Sequence, residues 1–296
     1  MYFHQRGRKL LVVFGAIIIL LHPHPSSQVN SAAFNLQKVV EKPAQANPRI
    51  PTSDEDQAIS TGTSATNTSA ISNHKNIKGL SLSQLLQKYP ETFKTRGPRS
   101  KVIALTFDDV PDPRFTPQLL DILKMYHVKA TFFVVGSRAE KHPGLVKRMI
   151  REGHAVGNHS YNHPQFVKLT MNDFRAQIIQ TENIIQTLAG YKPKLIRPPY
   201  GDINEQQLKW AKYHGYKLVN WNVDSLDWKG LSKTQVRNNI LSQAGKGAIV
   251  LQHGGGGQSS NLRGTIQALP EVITIMRKRG YTFVTVPQLL QVSKNK

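Results

Sequence analysis

Beyond Pro98, short apolar runs rich in β-branched residues alternate with longer segments whose apolar residues recur at helical spacing. The runs Val102–Phe107, Ala130–Val135, Ala155–Asn158, Leu195–Arg197, Lys217–Trp221, Ala248–Leu251 and Thr282–Val286 read as strands. Helices are expected over Thr116–Tyr126, Arg138–Glu152, Asn172–Leu188, Glu205–Tyr213, Lys233–Gln243 and Gly264–Arg279. Strands joined through helices run parallel, with the helices packed outside. About seven such units in roughly 200 residues fit an α/β fold, a (β/α) barrel somewhat short of the usual eight. An open doubly wound sheet is the alternative. In both, chemistry belongs at the C-terminal ends of the strands.

Polar residues stand at those ends. Asp108 and Asp109 close the first strand in Thr106-Phe107-Asp108-Asp109. Successive strand side chains face opposite ways, but at a strand end the second can turn into the same cleft. One carboxylate can then hold a metal while the other moves a proton, where the plain alternative is a solvated loop opening. His159 and His163 follow the third strand at i,i+4, a spacing that puts both rings on one side if the segment is helical. Two His and one Asp make three protein ligands and leave room for water or substrate, as catalytic metal sites do. Imidazole with carboxylate suits Zn²⁺, with Co²⁺, Ni²⁺ and Mn²⁺ as alternatives.

Three further segments are weaker taken singly. In Arg197-Pro198-Pro199-Tyr200-Gly201 a stiff turn can aim an amide N–H, and Arg197 can hold a carboxylate. In Asp224-Ser225-Leu226-Asp227-Trp228 an acid stands beside an aromatic wall. Leu251-Gln252-His253 runs into Gly254–Gly257, which fits a general acid opening onto a cleft. A Pro-rich loop, an exposed acidic loop and a solvated histidine are the plain alternatives.

Together and in this order, the five segments resemble the polysaccharide deacetylases of carbohydrate esterase family 4, the NodB-homology domain, over about 101–292. The resemblance implies a distorted (β/α)7 barrel and metal-dependent removal of N-acetyl groups from an amino-sugar polymer. It implies Asp109, His159 and His163 as metal ligands, Asp108 as general base and His253 as general acid. Arg197 then positions Asp108, Asp227 tunes His253, and the Tyr200 amide is the oxyanion donor. Trp228 and Leu251 resemble the walls around the acetyl methyl. One position departs from the pattern: the first segment usually continues with Gly and here has Val110. If that site needs positive φ, Val is strained there; if it needs only a compact loop, Val crowds the metal. Two other readings stay open. One is a catalytically impaired wall-glycan-binding protein, for which Val110→Gly would restore turnover. The other is an esterase acting on O-acetyl groups.

The rest of the chain concerns location. Arg6, Arg8 and Lys9 precede an apolar run from Leu10 to Leu21, too short for a full span and suited to a signal. The expected division is 1–33 as signal peptide or membrane anchor, 34–78 as a disordered Ser/Thr/Asn-rich linker, 79–98 as a flank and 99–292 as the catalytic domain. Such a protein is exported, to the cell wall or to the outer face of the cytoplasmic membrane. The chain has no cysteine, which excludes disulfides, Cys-based zinc sites and thiol nucleophiles. Its formal net charge of +21 suits an anionic wall or membrane surface. No nucleic-acid-binding motif accompanies that charge, and a monomer is expected.

Overall fold

A computed structural model describes residues 79–296. The expected signal or anchor and the linker lie outside the described residues. The strands are β1 (Phe93–Lys94), β2 (Val102–Val110), β3 (Thr131–Val134), β4 (Ala155–Asn158), β5 (Leu195–Ile196), β6 (Lys217–Val219), β7 (Val223–Asp224), β8 (Ala248–His253) and β9 (Thr282–Phe283). The helices are α1 (Leu82–Lys88), α2 (Thr116–Met125), α3 (Gly136–Lys141), α4 (Pro143–Arg151), α5 (Met171–Ala189), α6 (Glu205–Tyr213), α7 (Lys233–Gln243), α8 (Arg263–Lys278) and α9 (Val286–Leu290). Among the described residues no helix is long and apolar enough to cross a membrane.

Every pairing between these strands is parallel, in the order β1-β6-β5-β4-β3-β2-β8-β7, with β9 added beside β2. The sheet curls into the distorted (β/α)7 barrel expected, with helices outside. Strands buried on both faces read as continuous apolar runs, and β2 shows why. Ile103, Leu105 and Phe107 join the outer core with Leu119, Leu120 and Val272. Ala104 faces inward with Phe133, Leu195, Val219 and Ile249. Gly157 is required on β4 because a Cβ there would lie 2.7 Å from the Phe133 ring.

Most expected elements are present, and the differences have local causes. The helix expected over Arg138–Glu152 is two, α3 and α4, broken at His142 (φ −133°) before Pro143. Proline disfavours helical backbone in the residue preceding it and opens a new helix well. The strand expected over Thr282–Val286 stops at Phe283; Thr285 then caps α9 through a reciprocal pair with Gln288. The flank supplies α1 and also β1, an edge strand against β6 that its length hides in the sequence.

Candidate active site

Inward alternation from several strands builds the site. Thr106 and Asp108 of β2 continue the inward face begun by Ala104, and Asp108 lies in register with His253 of β8. Strict alternation would send Asp109 outward. A register shift between Phe107 and Val110 and a left-handed backbone at Asp109 (φ 62°) turn it back, so both carboxylates face one cleft.

Val110 is not left-handed. It ends β2 fully buried in the outer core, away from the cleft lining, so neither the strain nor the crowding expected of it occurs. The strain belongs to Asp109.

Asp109, His159 and His163 offer three ligand atoms within 4.8 Å of one another. The histidine pair is not helical as its spacing suggested. It lies on a loop whose left-handed turns at Ser160 (φ 67°) and His163 (φ 62°) fold the second ring back toward the first. Their ring centroids are 4.9 Å apart. His159 Nδ1 donates to Arg197 O at 2.7 Å, leaving Nε2 with a free lone pair toward Asp109. Burial, with the neighbouring His163, lowers the His159 pKa to about 3, so the ring is neutral. Asp109 Oδ1 is buried and accepts no hydrogen bond, although His163 Nε2 is 3.2 Å away.

Arg197 is fully buried inside the barrel. Its Nη1 donates to Asp108 Oδ1 at 2.8 Å and to Thr106 Oγ1 at 2.7 Å, and Nε donates to Val219 O at 2.9 Å. The guanidinium also lies 4.1 Å from the Phe133 ring centroid. Burial raises the Asp108 carboxyl above its ordinary pKa, opposed in part by Arg197 and His253. After Arg197 the chain turns through left-handed Tyr200 (φ 60°) and Gly201 (φ 74°). Gly201 N–H and Asp202 N–H bond back to Pro198 O and Pro199 O, while the preceding Tyr200 N–H has no backbone acceptor among the described residues.

Across the cleft, His253 Nδ1 bonds Asp227 Oδ1 at 2.7 Å, which points its Nε2 away from that acid. Asp227 Oδ2 accepts from His253 N–H and from Thr265 Oγ1. Burial lowers the His253 pKa, but attraction to Asp227 outweighs it and the group is raised to about 9. The cleft has a volume of about 550 Å³. Tyr200 and Trp228, 64% and 56% exposed, stand on its rim, and Leu251 is buried in its wall.

All ten residues singled out in the sequence therefore meet in or directly beneath one cleft. Thr106, Thr265, Trp221 and Arg138 were not singled out. The first two are uncharged partners of charged groups, a role that strand pairing reveals and sequence spacing does not. Arg138 lines the cleft.

A family model described as polysaccharide deacetylase matches residues 95–219. A peptidoglycan-N-acetylglucosamine deacetylase of Bacillus cereus is 48% identical over 71% of this chain and 76% of its own length. The peptidoglycan-N-acetylmuramic acid deacetylase PdaC of Bacillus subtilis is 41% identical over 69% of this chain, but the match spans only 42% of that longer protein. Among solved structures, the Bc1960 peptidoglycan N-acetylglucosamine deacetylase, in complex with 4-naphthalen-1-yl-N-oxidanyl-benzamide, superposes with a TM-score of 0.70 at 46% identity. The match covers 72% of this chain and all of that one.

Proposed function

This chain belongs to the polysaccharide deacetylases of carbohydrate esterase family 4, and from that membership we propose that it removes N-acetyl groups from N-acetylglucosamine-type residues of a cell-wall polysaccharide, peptidoglycan foremost. The observation that carries the reading is the convergence of Asp109, His159 and His163 beside Asp108, with His253 across the same cleft.

A divalent cation fits the first three residues. Asp109 Oδ1 is a buried acceptor without a hydrogen bond, His159 is neutral with its outer nitrogen fixed by a carbonyl, and oxygen with two imidazoles suits Zn²⁺, Co²⁺, Ni²⁺ or Mn²⁺. Zn²⁺ is the preferred assignment. When bound, the cation supplies Lewis acidity, making nearby water more acidic and favouring negative charge on a carbonyl oxygen.

The chain's own groups supply the rest. Asp108, held by Arg197 and raised by burial, accepts the proton of the attacking water. The Tyr200 N–H donates to the oxygen that becomes negative as the carbonyl turns tetrahedral. His253 arrives protonated because Asp227 holds its pKa near 9, and it gives that proton to the departing amine nitrogen. The C–N bond breaks, leaving acetate and a free amine on the sugar. Leu251 and Trp228 enclose the acetyl methyl. Export through the N-terminal segment would bring the domain to this substrate.

The test is mass spectrometry of peptidoglycan and chitin oligomers before and after treatment with Zn²⁺-loaded protein. Loss of acetyl from a hexosamine, with acetate released, is expected. A metal-loaded protein that binds glycan without releasing acetate, or that strips only O-acetyl groups, would overturn the proposal.

A further inference from the structure

Two segments leave the reaction centre side by side. One follows Asp108-Asp109 and runs through Val110 to Thr116. The other follows His253 and is the glycine run Gly254–Gly257. They approach as bare backbone: Gly254 N–H donates to Asp108 O at 2.9 Å, and a Cβ on Gly255 would lie 2.1 Å from Asp109 O. Four consecutive glycines gain this proximity at a cost, because such a run loses much conformational freedom on ordering. Something must hold it.

Asp112, only 3% exposed, is the anchor. Its Oδ1 accepts from Arg114 N–H at 2.9 Å and Arg114 Nε at 3.0 Å, and its Oδ2 accepts from Arg114 Nη2 at 2.7 Å. Arg138 Nη1 reaches the same Oδ2 at 3.4 Å. Both guanidinium groups also donate to carbonyls of the glycine run and of Gln258 just beyond it. Arg114 Nη1 bonds Gln258 O at 2.8 Å, while its Nη2 bonds Gly257 O at 2.9 Å and Gly256 O at 3.2 Å. Arg138 Nη2 bonds Gly256 O at 2.8 Å. Thr116 Oγ1 closes the near end by donating to Gly254 O at 2.9 Å. A planar guanidinium offers several donors in fixed directions, and a buried carboxylate fixes the plane.

We propose that Asp112, Arg114 and Arg138 form a positioning clamp that fastens the segment after the proton donor His253 to the segment after the proton acceptor Asp108. The pairing of β2 with β8 sets the separation of the two groups; the clamp holds the segments that leave them, and none of its three side chains transfers a proton. Gly255, Gly256 and Gly257 line the cleft, so the clamp also fixes the wall the glycan meets. The inference rests on the deacetylase reading for its catalytic readout and on the geometry alone for its structural one.

The experiment uses the full chain with Zn²⁺ bound and the variants Arg114→Ala, Arg114→Lys and Arg138→Gln, with the exposed Arg175→Ala as control. Amide hydrogen exchange over 254–258 is expected to rise in Arg114→Ala and Arg138→Gln and to stay at the wild-type level in the control. On an N-acetylated oligomer, kcat should fall about tenfold or more with KM within about threefold, as misplaced reacting groups produce. Arg114→Lys, which keeps the charge without the fork, should recover only part of the loss. Should Arg114→Ala fail to fold, Arg138→Gln and Arg114→Lys carry both readouts. Unchanged exchange over 254–258 overturns the clamp, and so does raised exchange with wild-type kcat. A wild-type protein that releases no acetate overturns the deacetylase reading instead, and the exchange result still decides whether the clamp exists.

Discussion

Val110 shows how one position can look catalytic and be structural. Its side chain fills the outer core, and a Cβ on Gly254 would lie 2.5 Å from its Cγ1, so valine at 110 and glycine at 254 share one volume. Val110→Gly empties that volume and adds backbone freedom, with an expected loss of about 2–4 kcal/mol in denaturant unfolding and no gain in kcat. A rise in kcat would favour the impaired-site reading. His253 makes a second prediction at this scale. Its folded pKa of about 9 lies above the ordinary histidine value, so the ring holds its second proton at neutral pH and loses it as pH rises through 9. The alkaline limb of kcat/KM should therefore fall near pH 9. In Asp227→Asn it should move to lower pH, because burial without the acid favours the neutral ring. An unmoved limb would show that another group governs it.

The elements divide sharply into those that sequence makes legible and those it hides. The helices Glu205–Tyr213 and Lys233–Gln243 and the strand Ala155–Asn158 have the bounds their apolar spacing implies, because caps such as Asn204 and Ser232 stand beside them. The five site segments are legible for a related reason: each joins a charged or ring-bearing residue to the end of an apolar run. Hidden are the bulge that turns Asp109 inward and the left-handed turns at Ser160 and His163. These are set by neighbouring strands and loops, with no glycine to mark them. The turn from α4 into β4 hides another feature. His154 is buried, accepts from Ala130 N–H at 3.1 Å through Nδ1, and has Nε2 4.0 Å from Glu152 Oε2 with neither atom hydrogen-bonded. Burial lowers its pKa to about 4, aided by Lys129. The folded value lies below the unfolded one, so the stability tied to the neutral ring is complete above about pH 6.5 and lost as pH falls toward 4. His154 should account for up to about 3 kcal/mol of the weakening in urea unfolding over that range, and His154→Leu should remove that part of the slope.

For the whole molecule, ligand removal is the broadest test. Of the three candidate ligands, Asp109 sits in the bulged end of β2 and both histidines on the loop after β4, so a cation would join that strand end to that loop. Chelation should abolish acetate release and lower the unfolding temperature, and Zn²⁺ or Co²⁺ should restore both. Full stability and activity after verified metal removal would refute the assignment. Among the described residues, the buried Arg197 lies beneath the reaction centre, and Phe133, Leu195, Ile249, Val286 and Leu289 pack together as an apolar core. On the deacetylase reading, water is expected to enter, and acetate to leave, through the mouth that the glycan meets. Each turnover is then expected to end with the strand lifting or sliding before the next begins. Free amines should accumulate as scattered single sites along a long polymer, a pattern that sequencing of partially treated glycan would read directly.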